Sequence, residues 1–388
     1  VPDGILRMVL AGGGTGGHVY PAIAMSEIAR GRFGSVELLF IGVRGRAEEH
    51  VVPAAGIPIR YVSSRGLTGG IARLPAFGLS LARGTTQALS AIRGFDPHVV
   101  LATGGFSAAP TVLASALSRA VRRRPRILVH EQNAIPGRAN ALAGRFADVV
   151  LTTFESSCRF FSAAKVVHAG YPVRRPIGEV DREAARRALD LPGGAFVILA
   201  FGGSGGARSL NRAVAGALPD LLARTHVHVI HGTGRYFGSD YDPAGETARI
   251  VAGHGLETEM LDRYHPCGYI ENMAEAYAAS DLVICRAGAG TLFEIRRAEL
   301  PAVLVPKRGL PHEHQLANAR DFADGGAALL VEELAGQDGD HVPAGVLSRR
   351  VGSLIDDPTA LGEIRRALLR RPIPDTDRVV GDVLASLV

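Results

Sequence analysis

Cysteine is scarce in this chain, with three among 388 residues: Cys158, Cys267 and Cys285. They are odd in number, far apart and free of any C-x-x-C pair, which excludes a disulfide framework and a thiolate zinc site. A reducing, cytosolic compartment is expected. Also missing is any run of about 20 apolar residues unbroken by proline, glycine or charge, so no spanning helix is expected. No signal-peptide pattern precedes the first apolar stretch, "ILRMVLA", and none is expected. The net charge of +5 is rich in arginine, as in "RRRPR" at 122–126. No nucleic-acid-binding signature accompanies it, so charge alone does not make a nucleic acid the partner. An anionic substrate or an anionic membrane surface remains.

What the sequence does have is apolar bulk and glycine. Hydrophobic residues make up 47% and charged residues 21%, and there are 48 glycines. At about 100–200 residues per domain, two domains are expected. The glycines cluster in turns. "ILRMVLA" runs into "GGGTGGH" and then a helical pattern; far downstream "AFVILAF" runs into "GGSGGARSLNRAVAGALPDLLAR" in the same way. Further apolar strands are read at "VELLFIG", "HVVLATGG", "RILVHEQN" and "DVVLTTF". In the second half they are read at "HVHVIHGTG", "CGYI", "DLVICRAGAG" and "PAVLVP". Continuous apolar strands alternating with helices imply parallel sheets covered on both faces. The fold class is therefore α/β, with two Rossmann-like doubly wound parallel-sheet domains. The first is expected over 1–171 and the second over 172–350, with Pro172 and Pro176 breaking regular structure at the crossing. Helices over 351–388 are expected to pack back on the first domain.

Ligands of doubly wound sheets bind beyond the carboxyl ends of the strands. The chemically suggestive residues gather there, and if the domains face each other these loops line one cleft. Gly12, Gly14 and Gly17 match G-x-G-x-x-G, but "LLFIGVRGR" lacks the acid that would hold a cofactor's ribose, so a nicotinamide nucleotide is not expected. "GGSGGARS" (Gly202–Ser209) opens a helix, where N–H groups and the helix dipole favour an anion, with Ser204 as a further donor. In "CRAGAGTLFEI" the residues Gly288, Ala289, Gly290 and Thr291 open another helix. Glu294, one turn on, suits a ribose diol or serves the helix N-terminus. In "PHEHQLANA" the residues His312 and His314 lack an obvious third ligand for a metal; His314, Gln315 and Asn318 fit hydroxyl groups or helix caps. His226 and His228 read as packed or surface histidines. In "HEQN", Glu131 and Asn133 could orient a substrate or a catalytic group.

Five motifs stand in one order: "GGGTGGHVYPA", "HEQNAIPGRAN", "GYPVR", "GGSGGARSLN" and "CRAGAGTLFEI" with "PAVLVP" and "HQLANA". In this the chain resembles the MurG family of peptidoglycan glycosyltransferases over nearly its whole length. The resemblance implies a GT-B fold and transfer of N-acetylglucosamine from UDP-GlcNAc to lipid I, with inversion, giving lipid II. It implies that Ser204 and Arg174 contact the donor diphosphate, with Ala289, Gly290 and Thr291 at the helix start. Ile270 would meet uracil through its backbone, Glu294 the ribose, and Gln315 with His314 the sugar hydroxyls. Gly13, Gly14, Thr15, Gly16 and Gly17, with Gly104 and Gly105, would face the acceptor pyrophosphate, and Asn133 would lie beside them.

His18 is the candidate general base, because histidine titrates near working pH; it could instead only orient its loop. No cofactor or metal is expected: amide groups, the helix dipole and Arg174 would meet the leaving diphosphate. The stretch "LTGGIARLPAFGLSLARG" (67–84) mixes leucine and phenylalanine with arginine and could sit in an anionic inner-membrane surface or form a core helix. A cytoplasmic, peripheral membrane protein is expected. The chain departs from the family pattern at Phe106, Ala108, Tyr171 and Gly205. These positions admit a paralogue with another phospholipid or antibiotic-precursor acceptor. A UDP-sugar epimerase, which needs no acceptor, and a nucleotide-sugar sensor, which needs no base, are rival functions for the same pattern.

Overall fold

A computed structural model describes residues 4–66, 74–122, 124–236, 240–310, 313–337 and 339–388. The chain divides into one unit formed by Val1–Pro172 with Ile373–Val388 and a second formed by Val173–Pro372.

The first unit is built on seven parallel strands: β1 (Leu6–Gly12), β2 (Val36–Gly42), β3 (Ile59–Tyr61), β4 (Val99–Gly104), β5 (Arg126–Glu131), β6 (Val149–Thr152) and β7 (Val166–His168). Their order is β3-β2-β1-β4-β5-β6-β7. The second unit has six: β8 (Phe196–Phe201), β9 (Val227–Gly232), β10 (Tyr264–Cys267), β11 (Leu282–Cys285), β12 (Ala302–Leu304) and β13 (Leu329–Leu330), in the order β10-β9-β8-β11-β12-β13. Both are doubly wound α/β sheets, and each reverses its winding beside its first strand. The reversal lies between β1 and β4 in one unit and between β8 and β11 in the other. At such a point the loops leaving the strands part to opposite faces and leave a crevice. The glycine-rich loops leave these four strand ends.

The central strands read as unbroken apolar runs because both faces are covered. Val9 and Leu39 pack with Ile92 of one helix layer, while Met8, Leu10 and Phe40 pack with Met25 of the other. In the second unit Ile198, Val229 and Ile284 share a core with Leu218, Leu221 and Val351.

Three short strands, β3, β7 and β13, go beyond the sequence expectation. They sit at sheet edges, are half-exposed and run for only two or three residues each, too short for a periodic pattern. The short strand expected at "CGYI" lies earlier, at Tyr264–Cys267.

The helices after residue 350 do not travel together. The helix Pro358–Arg370 stays with the second unit: Ile364 joins its core, and Arg296 donates to the carbonyl of Leu369. Arg371 pairs with Asp321 of the same unit. Only the helix Thr376–Leu387 lies on the first unit, through Val380 and Leu384. Pro372 and Pro374 cannot continue a helix and separate the two.

Candidate active site

In the first unit the loop after β1 is held from below. The amide of Gly13 donates to the carbonyl of Gly104 at 3.3 Å, and that of Gly14 to Glu48 Oε2 at 3.0 Å. Glu48 is fully buried, and its Oε1 also accepts the amide of Val43 at 3.3 Å. A Cβ on Gly13 would collide with the Glu48 carboxylate, so that position has no room for a side chain. Gly14 has φ +88°, a backbone that glycine adopts without strain. Two of the loop amides are thus already engaged. Those of Gly16 and Gly17 open the helix Gly16–Phe33, whose N-cap is Thr15, and a first turn has no intrahelical acceptors for its amides.

His18 stands in that first turn, half-buried. Its Nδ1 lies 2.9 Å from the carbonyl oxygen of Thr103 and 3.2 Å from Gln132 Oε1. A carbonyl oxygen only accepts, so Nδ1 carries the proton. The neutral ring then holds its lone pair on Nε2. Thr103 Oγ1 donates back to the carbonyl of His18 at 2.6 Å. Gly104 and Gly105 have φ of +102° and +78° and lie against the ring; a Cβ on Gly104 would stand 3.2 Å from His18 Cε1.

The HEQN segment supports this corner. Glu131 is buried and accepts from the Asn133 amide at 2.8 Å, from Asn133 Nδ2 at 3.2 Å and from Asn140 Nδ2 at 2.9 Å. Burial pushes its carboxyl above the usual range, and these donors offset only part of the rise. Asn133 is therefore tied into the loop by Glu131. Gln132, a member of HEQN with no role assigned from the sequence, is the side chain that reaches His18. The alternation of a strand end carried that signal, because His130 and Gln132 lie two residues apart.

In the second unit the loop after β8 turns through Gly203 and Gly206, with φ of +95° and +72°. Gly206 is pressed against the carbonyl of Thr233, which leaves no space for a Cβ. Ser204 is exposed, and its carbonyl accepts the amide of Arg235 at 2.8 Å. Below this loop His231 links Tyr264 Oη at 2.9 Å to Asn211 Oδ1 at 3.2 Å, and Asn211 donates to the carbonyl of Thr233 at 2.6 Å.

Gly288 caps the nine-residue helix Ala289–Arg297, so Ala289, Gly290 and Thr291 present its first-turn amides. Glu294 receives Arg174 through Nε at 3.2 Å and Nη2 at 2.8 Å, both on Oε1. Its Oε2 accepts from Tyr277 Oη at 3.1 Å. Burial holds the Tyr277 hydroxyl well above its ordinary range, so it stays a donor. Ile270 turns its side chain onto Gly232, where a Cβ would stand 2.8 Å from its Cδ1. Gln315 Oε1 accepts the amide of Lys307 at 2.9 Å, and His314 begins the helix His314–Ala323. His312 lies outside the described residues. Arg286, at the end of β11, is bound internally: its Nη2 meets buried Glu333 at 2.6 Å and Ser209 Oγ at 2.7 Å. No motif points to Glu333; a carboxylate reaching in from beyond β13 leaves no local pattern.

The glycosyltransferase family 28 N-terminal domain matches residues 8–152, and the family's C-terminal domain matches residues 197–338. The chain is similar to the UDP-N-acetylglucosamine–N-acetylmuramyl-(pentapeptide) pyrophosphoryl-undecaprenol N-acetylglucosamine transferase of Desulforudis audaxviator, with 38% identity over 93% of each chain. The protein of the same name from Symbiobacterium thermophilum is 38% identical over 97% of this chain and 95% of its own. Among solved structures, that of Acinetobacter baumannii MurG superposes with a TM-score of 0.71 at 26% identity, covering 98% of this chain and 99% of that one. The chain belongs to glycosyltransferase family 28 and, within it, to the MurG family of N-acetylglucosaminyltransferases.

Proposed function

We propose that this chain moves N-acetylglucosamine from UDP-GlcNAc to undecaprenyl-pyrophosphoryl-MurNAc-pentapeptide, with His18 as the general base. The observation that carries the base assignment is the placement of His18 Nδ1 on the Thr103 carbonyl and Gln132 Oε1, which leaves the ring's lone pair on Nε2. An acceptor hydroxyl attacks the anomeric carbon. The bond from that carbon to the β-phosphate oxygen breaks, its electron pair leaves with UDP, and the hydroxyl proton passes to Nε2. A single displacement of this kind inverts the anomeric centre.

The donor is assigned to the second unit. The first-turn amides of Ala289, Gly290 and Thr291, the loop of Ser204 and the half-exposed guanidinium of Arg174 suit a diphosphate. They supply the charge stabilisation that the leaving group needs, so a metal is not required in this reading. Glu294 suits a ribose diol, the backbone of Ile270 uracil, and Gln315 with His314 the sugar hydroxyls. The acceptor pyrophosphate is assigned to the first unit, at Thr15 and the amides of Gly16 and Gly17. Gly13 and Gly14 shape that loop rather than donate to the ligand, since their amides are engaged, and Gly104 and Gly105 face the same ligand beside the His18 ring. Asn133 acts as a loop brace beside it.

In this reading the chain works at an anionic membrane surface. Among the described residues no helix is long and apolar enough to cross a membrane. The helix Leu74–Phe95 exposes Leu74 and Leu79 beside Arg83, and the neighbouring helix Ala109–Arg122 exposes Leu117 and Val121, one turn apart, beside Arg122. An amphipathic, basic surface of this kind fits a headgroup region. Residues 67–73 of the stretch expected to do this lie outside the described residues.

The experiment is a screen of UDP-sugars for protection against thermal unfolding, followed by UDP release with the best donor and a lipid I analogue. Protection by UDP-GlcNAc, and release only when the acceptor is added, is the expected result. Equal release without acceptor contradicts the reading.

A further inference from the structure

His18 is the near end of a chain of buried polar groups. The far end is the carbonyl oxygen of Gly170, two residues before the chain leaves the first unit. A carbonyl only accepts, so Thr153 Oγ1, at 3.4 Å, donates to it. That hydroxyl then accepts from His130 Nε2 at 3.1 Å, which puts the His130 proton on Nε2 and its lone pair on Nδ1. Gln132 Nε2 donates to this Nδ1 at 3.1 Å and to the carbonyl of His130 at 2.9 Å. The two donations fix the amide with its oxygen towards His18, where Oε1 meets Nδ1 at 3.2 Å. Every direction in the relay follows from the one before. Each of its three inner side chains, Thr153, His130 and Gln132, is at most 3% exposed.

We infer that Gln132 is a positioning residue for the transfer reaction, holding His18 in the tautomer and orientation in which Nε2 accepts the proton, with His130 and Thr153 fixing the Gln132 amide. The inference rests on His18 as the base. His130 is suited to the part because burial lowers its pKa to about 4, which keeps its ring neutral. The other titratable groups of this corner are Glu131, engaged by Asn133 and Asn140, Glu48, engaged below the glycine loop, Tyr171, whose ring centroid lies 6.2 Å from that of His130, and His168, whose Nε2 meets the Thr153 carbonyl at 3.1 Å. The Thr103 carbonyl shares Nδ1, so losing Gln132 weakens the arrangement without abolishing it.

The test is the pH dependence of acceptor-dependent UDP release in three variants. In Gln132→Met the imidazolium loses an acceptor. The acid limb of kcat/KM is expected to move to lower pH, with kcat down on the order of ten-fold, short of the hundred- to ten-thousand-fold expected for losing the base itself. The KM for UDP-GlcNAc is expected to be unchanged. In Gln132→Glu a carboxylate faces Nδ1, and the acid limb is expected to move the opposite way, to higher pH. Thr153→Val, which removes one of the two acceptors holding the His130 ring and leaves the Gly170 carbonyl, is expected to give a smaller shift in the direction of Gln132→Met. Ring ¹⁵N shifts of His18 in the unaltered protein are expected to show Nδ1 protonated, a readout that needs no variant to fold. An acid limb unmoved in all three variants, or an Nε2-protonated His18, overturns the inference. If His18→Ala itself retains near-normal turnover, the base assignment has failed and the relay falls with it. If His18→Ala is inactive while the Gln132 variants keep the unaltered profile, the relay alone is wrong.

Discussion

Arg174 and Glu294, 120 residues apart, meet on one carboxylate oxygen at 3.2 and 2.8 Å, while Tyr277 holds the other oxygen at 3.1 Å. The guanidinium is half-exposed, so the ion pair itself adds little stability. Its value is placement: a cation suited to a diphosphate is fixed beside a carboxylate suited to a ribose. Hydrogen bonds to a charged group contribute about 1.5–3 kcal/mol. Glu294→Gln is therefore expected to raise the KM for UDP-GlcNAc roughly ten-fold or more, with a smaller effect on kcat. Steady-state kinetics with donor as the varied substrate checks this, and an unchanged KM counts against the ribose role.

Glu48 is expected to matter for the first unit's loop rather than for donor binding. Glu48→Ala strands the amides of Gly14 and Val43, each held by that carboxylate. Leaving buried donors unsatisfied costs about 1–3 kcal/mol each. Thermal unfolding should show the loss, while the affinity for UDP stays as it was. Gly13→Ala should lower turnover, since its Cβ would collide with the buried Glu48 carboxylate. A fully active Gly13→Ala enzyme would show that the loop geometry is not critical.

His231 gives a pH dependence with a definite sign. Burial lowers its pKa to about 4 from an ordinary 6.5. The unfolded chain binds a proton here below 6.5 and the folded chain only below about 4. The stability this neutral histidine permits is thus intact above 6.5 and lost as pH falls towards 4, by about 3 kcal/mol in all. His231→Gln, which can still bridge Tyr264 and Asn211, should flatten that part of the profile. Glu131, raised by burial in the first unit, acts in the opposite sense, so the comparison is made between variant and parent. Equal slopes in the two proteins would remove His231 from the account.

At the membrane, Leu79→Ser with Val121→Ser should reduce binding to vesicles containing anionic lipid, and added salt should weaken what remains. Donor affinity should not change. Sedimentation with anionic and neutral vesicles decides it. Equal binding to both, or an unaltered double variant, would contradict the assignment.

The sequence made the central architecture legible because a strand buried on both faces has to be apolar throughout. Phe196–Phe201 and Leu282–Cys285 are such strands, and the glycine loops beyond β8 and β11 follow from them. Edge strands such as Val166–His168 carry no such signature. The partners of the site were harder to see. Glu48 comes from the helix after β2 and Glu333 from beyond β13, and each is placed by tertiary packing that no local spacing encodes. The helices after residue 350 illustrate the same limit, because nothing in Pro358–Arg370 or Thr376–Leu387 says which core each apolar face will meet.

The central claim is that an acceptor hydroxyl loses its proton to His18 as UDP departs. The most direct measurement is UDP release from UDP-GlcNAc, with and without a lipid I analogue, for the unaltered chain and for His18→Ala. The account predicts release only with the acceptor, and a fall of roughly a hundred- to ten-thousand-fold in the variant while UDP affinity is retained. Near-normal release by His18→Ala, or release that ignores the acceptor, would contradict it.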